Sequence, residues 1–392
     1  MATALPRRVG EGVQSTIPDA MPGAAAVSAD SDRVACTRVP GALVTTAVPE
    51  QRTAWTKARR DVARQAADRG WAVLTMPGTA SLAGWCRFLQ QLAQCLAPGA
   101  CVLVEYPFAQ RRRLYPLAVF CRLRRLRLQG LLHDLDALRL DAPPRREVAI
   151  LRLFDAIVTH NPVMTAWLRA QGIHAPVAEL GLFDYLAPVA GHWYEDSLQT
   201  PLRIACAGNL SFPKARYVYD PRWSEVAGVQ VSLFGAFFEP QRLPDASPLR
   251  FRGSFDPDAP ALDGRYHFGL VWDGDAITGC EGRYGRYLRF NNPHKLSLYA
   301  ALGLPVVVWE EAALARLVHQ QGIGVTVRDL RELGALSQRV GPQDYRAMAQ
   351  RMAALRQSVT RGAFLQRALD ELAQFPRRTE DPLRRSPWAQ KG

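Results

Sequence analysis

The sequence predicts an α/β protein of two Rossmann-like domains in tandem, each a doubly wound parallel sheet, facing one another across a cleft. Three observations predict it. At about 150 residues per domain, a chain of 392 residues has room for two domains and spare segments. Strand-sized apolar runs alternate with helix-sized amphipathic runs, the rhythm of parallel strands joined by crossover helices. That rhythm occurs twice, with a lapse into Pro, Gly and polar residues between Ala187 and Thr200 that marks a linker.

Residues 1–40 show no periodicity and read as a disordered leader; Met21 or a later codon could equally be the true start. The first domain, 41–190, then begins with strand Ala42–Val48, helix Trp55–Arg69, strand Trp71–Leu74, helix Leu82–Leu96 and strand Cys101–Tyr106. It continues through helix Pro116–Leu126, strand Leu128–His133, helix Arg145–Phe154, strand Ala156–Thr159, helix Pro162–Gln171 and strand Val177–Leu180. The second domain, 200–345, reads as strands Leu202–Ala207, Val229–Phe234 and Phe268–Trp272, helix His294–Leu302, strand Pro305–Trp309, helix Glu311–Gln320 and strand Gly324–Val327. A long helix, Tyr345–Phe375, is predicted to pack back on the first domain, and 376–392 reads as a flexible tail.

Composition narrows the class. With 48% hydrophobic and 22% charged residues the balance is globular, and no apolar run approaches the ~20 residues of a spanning helix. No signal peptide is evident, so a cytoplasmic product is expected. Seven scattered cysteines, without C-x-x-C or zinc spacing, read as reduced thiols. The net charge of +13 calls for a polyanionic partner, whether nucleic acid, anionic lipid or phosphate-bearing ligand. Much of it crowds into Arg111–Arg127, where seven arginines interleave with Leu, Val and Phe. This is the pattern of a basic amphipathic helix on anionic headgroups at the inner face of a membrane. Leucines facing the core with merely solvated arginines would produce it too.

Ligands of doubly wound sheets bind beyond the carboxyl ends of the strands, which singles out four loops. After the strand ending at Ala207 come Gly208, Asn209, Lys214 and Arg216: a glycine that lets a phosphate approach the backbone, a polar amide and two cations, or else a solvated turn. Before Leu296, Asn292 can cap a helix, Pro293 suits its first turn, and His294 and Lys295 stand at the positive helix end, with Tyr299 one turn on. Trp272 and Asp273 open a glycine-rich acidic loop suited to sugar hydroxyls. In the first domain, His133 and Asp134 follow a strand and are candidates for a general base, although a carboxylate there is often only a helix cap. Asp134 and Asp136 form an Asp-x-Asp pair that could hold a divalent metal, but the cations of the second domain already supply compensating charge, so no metal is expected.

Five segments in succession carry a resemblance: Lys57–Val62, Leu132–Arg139, Phe154–Asn161, Gly181–Tyr185 and Pro293–Leu296. Together they resemble the bacterial family that includes beta-1,6-galactofuranosyltransferases and the glucosyltransferase that extends glycans on serine-rich adhesins, over about Ala54 to Glu371. The resemblance implies a GT-B fold, a UDP-sugar donor held by the second domain, no cofactor and metal-independent transfer with inversion. It implies that Gly208, Asn209, Lys214, Arg216 and Lys295 contact the diphosphate, with Asn292, His294 and Tyr299 beside them and Lys57 on the acceptor side. Inversion also fits the absence of a glutamate pair in the Lys295–Tyr299 stretch, where retaining GT-B enzymes commonly carry one. The acceptor expected is a saccharide, lipid-linked or on protein; homo-oligomers are compatible with the sequence.

The competing function is a scaffold or nucleotide-sugar binder of the same fold without turnover, because fold alone does not prove chemistry. A nucleic-acid binder has only the charge in its favour, since no stacking platform or known module is visible. A glycoside hydrolase is disfavoured by the lack of an evident carboxylate pair.

Overall fold

The computed structural model describes residues 38–47, 54–78, 81–188, 193–245 and 247–375, so most of the leader, Cys36 and the tail from 376 lie outside the described residues. The first sheet contains β1 (Val39–Thr45), β2 (Ala72–Thr75), β3 (Leu96–Tyr106), β4 (Arg127–Leu132), β5 (Ala156–Thr159) and β6 (Val177–Glu179). The second contains β7 (Leu202–Ala207), β8 (Val229–Phe234), β9 (Leu249–Phe251), β10 (Phe268–Val271), β11 (Val306–Trp309) and β12 (Gly324–Val327). Their spatial orders are β2-β1-β3-β4-β5-β6 and β12-β11-β10-β7-β8-β9, and every pairing is parallel. Each sheet therefore reverses its strand order once, between β1 and β3 and between β7 and β10. Buried runs such as Val306–Trp309 are apolar at every position because helices cover both faces of such sheets.

Strand β9 is missing from the sequence reading because it is a short edge strand in which only Leu249 is buried, so no apolar run marks it. The expected single helix Tyr345–Phe375 is two, Pro342–Thr360 and Ala363–Gln374. Gly362 lies between them at φ +81°, a left-handed conformation that a side chain would strain, and a Cβ there would meet Gln65 Oε1 at 2.4 Å. The first of these helices packs on His294–Leu302 of the second sheet, and the other crosses to β5 and β6. That crossing is pinned at both ends: Asp184 accepts from Phe364 N (3.1 Å) and Leu365 N (2.8 Å), while Gln129 and Arg127 donate to the carbonyls of Leu372 and Ala373.

Two apolar clusters belong to one sheet each, but a third runs through both, from Leu43, Leu103 and Val158 through Phe183 to Leu296, Val306 and Phe364. The two sheets are thus joined by a shared core as well as by a linker.

The basic stretch is a helix, Leu114–Leu123, that buries Leu114, Leu117, Ala118 and Cys121. Several of its arginines are engaged inward: Arg111 pairs with Asp136, Arg113 donates to Pro77 O, and Arg127 donates to Gly99 O. Among the described residues no helix is long and apolar enough to cross a membrane. The six described cysteines are free thiols.

Candidate active site

At the reversal β7 and β10 lie side by side, and the loops that follow them, joined by a bond from Tyr217 N to Gly274 O (3.1 Å), form the carboxyl edge of the second sheet, where ligands of doubly wound sheets bind. β7 runs into Gly208 at φ +151°, and Lys295 Cε lies 2.9 Å from where a Cβ at 208 would sit. Only glycine leaves that space to the lysine. Lys295 stands in the first turn of helix His294–Leu302, and its Nζ donates to Trp272 O (2.5 Å) and Asp273 Oδ1 (2.9 Å). Beneath it, the Tyr299 hydroxyl accepts from Ala207 N (2.8 Å) and donates to Ala205 O (3.0 Å), bridging to Leu270 O at 3.2 Å. The helix is therefore riveted across both strands at the reversal.

Lys214 lies in the adjoining loop, its carbonyl accepting from Gly274 N at 3.4 Å, and its charge acts on the same groups. Burial lowers its pKa; Asp273 and Asp134 oppose that shift, while Lys295 and Arg139 reinforce it. The cluster therefore holds three cations against two carboxylates, and it draws from both sheets: Lys214, Lys295 and Asp273 from the second, Asp134 and Arg139 from the loop after β4. Asp134 is pushed up by burial, with Arg139, His133, Lys214 and Tyr287 pulling the other way, and it bonds Arg139 at 2.6 Å. The Tyr287 hydroxyl accepts from Leu135 N at 3.2 Å, a further tie between the two sheets.

The carboxyl edge of the first sheet is built differently. His133 Nε2 bonds Glu105 Oε1 at 2.8 Å, and its ring stacks on Phe183 with centroids 4.9 Å apart. His160 donates to Leu132 O (3.0 Å) and accepts from Asn292 N (3.1 Å), while His294 stacks on Tyr185 and meets Asp184 O at 3.3 Å. Burial lowers all three pKa values, those of His160 and His294 to about 4, so these imidazoles are neutral near pH 7. His294, expected beside Lys295 as a partner for the diphosphate, instead faces Asp184 and Tyr185 of the first domain and brings no charge.

Other expected site residues have structural partners of their own. Asn292 does not cap the helix; Pro293 occupies the cap, and the Asn292 amide donates to His160 O and Gly181 O and accepts from Asn161 Nδ2 (2.7 Å), splicing the two sheets. Lys57, expected on the acceptor side, is buried against Asp61 (2.5 Å) and Leu186 O (2.6 Å) and reaches Asp258 of the second domain at 3.3 Å. The Trp272 indole lies in the core and donates to Ala276 O, so only its carbonyl serves the crevice. Asn209 is exposed and accepts from Ser211 N in a local turn, and the Arg216 guanidinium sits over Phe212 at 4.9 Å rather than beside Lys295. Of the expected cations, Lys214 and Lys295 converge and Arg216 does not.

The Asp-x-Asp pair is split, Asp134 to Arg139 and Asp136 to Arg111, and among the described residues no cluster of three metal-ligating side chains occurs. Sequence reasoning missed Arg139, Tyr287, Glu105 and Arg59. Glu105 did leave a signal, as a lone carboxylate in the apolar strand Cys101–Tyr106.

Comparison with known proteins agrees with this architecture. Residues 42–182 match the glucosyltransferase 3-like N-terminal domain, and residues 204–372 match the glucosyltransferase 3-like C-terminal domain. Over 259 residues the chain is 32% identical to beta-1,6-galactofuranosyltransferase WbbI of Escherichia coli (strain K12), covering 65% of this chain and 74% of that protein. Two solved structures share the fold. Sucrose-phosphate synthase from Thermosynechococcus elongatus has a TM-score of 0.52 at 14% identity, over 86% of this chain and 99% of that one. The apo lipopolysaccharide outer core galactosyltransferase WaaB has a TM-score of 0.53 at 11% identity, over 83% and 99%. With both halves matched and a curated relative at this identity, the chain belongs to the glucosyltransferase 3-like family and is a glycosyltransferase of GT-B fold.

Proposed function

We propose that the protein transfers a hexose from a UDP-sugar to a saccharide acceptor in the synthesis of a bacterial surface polysaccharide or glycoconjugate, with inversion and without a metal ion. The observation that carries this reading is Lys295 in the first turn of its helix at the strand reversal, packed against Gly208 and bonded to Trp272 O and Asp273, with Lys214 contributing a second positive charge to the same field. Breaking the bond from the anomeric carbon to the diphosphate develops negative charge on the leaving group, and fixed cations there stabilise it without a metal. On the opposite face the acceptor hydroxyl must lose its proton, and the loop after β4 offers His133 and Asp134 for that step. The relative's name, a beta-1,6-galactofuranosyltransferase, puts UDP-galactofuranose first among donors to test. Purified protein supplied with a panel of UDP-sugars and an oligosaccharide acceptor should release UDP and form product in EDTA, with the anomeric configuration opposite to the donor's. UDP-sugar binding without UDP release across the panel would leave the binder-scaffold reading in its place.

We also infer that the outer face of helix Leu114–Leu123 rests on an anionic membrane, which suits a lipid-linked acceptor and a site of action at the inner membrane face. Leu123 is 80% exposed and Val119 41%, one turn apart on that helix. Around them Arg112, Arg124 and Arg125 are exposed and have no carboxylate partner among the described residues. Between Glu105, which is buried, and Asp134 the sequence contains no acidic residue. Each arginine near such a surface contributes about 1 kcal/mol. The full chain should therefore sediment with vesicles containing phosphatidylglycerol but not with pure phosphatidylcholine, and R112Q/R124Q/R125Q should weaken this by at least tenfold. Equal sedimentation of that variant would dismiss the membrane face.

A further inference from the structure

Two fully buried charges under the first sheet's edge have no part in the transfer described so far. Glu105 closes β3 with no solvent exposure, and Arg59 of helix Ala54–Asp68 is equally sealed, its Nη1 3.6 Å from Glu105 Oε2. Arg59 Nη2 donates to Pro107 O at 2.8 Å, but Arg59 Nε and Nη1 and Glu105 Oε2 have no hydrogen-bond partner. Burying an ion pair with unsatisfied atoms is unfavourable, so a packing role alone would be served as well by apolar side chains. The satisfied oxygen of Glu105 is Oε1, and its partner is His133 Nε2.

We infer that Glu105, with Arg59 behind it, is the positioning residue that makes His133 the general base for the acceptor hydroxyl. A carboxylate only accepts, so the ring proton resides on Nε2 and the Nδ1 lone pair is free. No described residue bonds Nδ1, and 5% of the His133 side chain remains open to solvent. Asp134, the alternative base, is engaged by Arg139 and Tyr287. The inference rests on the transfer reading above. In the step, the acceptor O–H proton moves to Nδ1, the oxygen forms its bond to the anomeric carbon, and the bond to the diphosphate breaks with its electron pair on the departing UDP. The imidazolium then faces Glu105, while the Phe183 ring fixes its plane. Arg59 offsets the carboxylate so that it can be buried as an anion. Other ionisable groups around His133 are Asp134, His160 and His294, and these two histidines stay neutral.

The test pairs kinetics with spectroscopy. In E105Q the charge facing the imidazolium is gone, so the acid limb of kcat/KM should move to lower pH and the plateau should fall tenfold or more, with donor KM unchanged. H133N should lose the limb altogether, and E105Q/H133N should be no slower than H133N; E105D should recover part of the plateau. Should E105Q fail to fold, ¹⁵N-histidine spectra of the wild type, assigned with H133N, still decide: a proton on Nε2 and a bare Nδ1 are expected. A proton on Nδ1, an unmoved acid limb in E105Q, or full activity of H133N would overturn the inference. Absence of any sugar transfer by the wild type would instead remove the transfer reading beneath it, whatever the tautomer.

Discussion

The carboxyl edges of the two sheets face the same crevice with opposite electrostatics. The second sheet presents lysines that touch one another's fields and stay partly reachable, held by Asp273 and a tyrosine rivet. At the first sheet His133 and His160, with His294 of the second domain packed beside Phe183, are kept neutral by burial, and the charges of Arg59, Glu105 and Lys57 are sealed within the protein. Under the proposed transfer, the difference teaches how one fold used twice would serve two tasks. A leaving diphosphate needs fixed positive charge, whereas a base needs an uncharged lone pair next to a group that welcomes the proton.

The sharpest way to break this contrast is at Lys295. K295A should lower kcat by about 10²–10³, the usual loss for one electrostatic donor. Because it also deprives the buried Asp273 of its ion-pair partner at 2.9 Å, the variant should melt earlier than the wild type. K295A/D273N should recover the melting temperature but not turnover, which separates charge at the donor from support of the crevice. Arginine at 295 should rescue partly, since a planar fork differs from a point charge. Near-normal kcat in K295A, with product still formed, would place the leaving-group charge elsewhere.

A smaller effect probes the junction. Asp184, whose carboxyl is pushed up to about 7 by burial against the bonds it accepts from Phe364 and Leu365, anchors the crossing helix. A carboxyl with a folded pKa above its unfolded one binds its proton more tightly in the folded state. Stability should therefore decline as pH rises from about 4 to about 7 and level off above, by at most ~4 kcal/mol. Asp184→Asn should flatten that slope in denaturant melts across the range. An unchanged slope would mean that the site does not titrate as the geometry implies.

The loops of the second edge were more legible in the sequence than those of the first, and particular residues show why. Lys295 could be found because a helix start, a cation and a strand end lie next to one another along the chain, and Gly208 because a glycine follows a strand. His133 and Asp134 were visible for the same local reason. Glu105 and Arg59 were not, because their significance lies in a contact between residues 46 positions apart. Arg216 and His294 read as site cations but turned to aromatic rings, Arg216 to Phe212 four residues before it and His294 to Tyr185, 109 positions away, and which ring a side chain meets is decided by the fold around it.

By itself, the sequence determined the strand and helix alternation, the two parallel sheets and the loops that could meet a ligand, because apolar periodicity and turn residues act over short stretches of chain. Only the tertiary structure decided which charges remain free. It joined Asn292 to His160 and Gly181, closed Lys57 over Asp61 and Asp258, broke the last helix at Gly362, and set Glu105 behind His133. The physical reason is that desolvation and pairing depend on what surrounds a group in three dimensions, and those surroundings come from segments far apart in the chain.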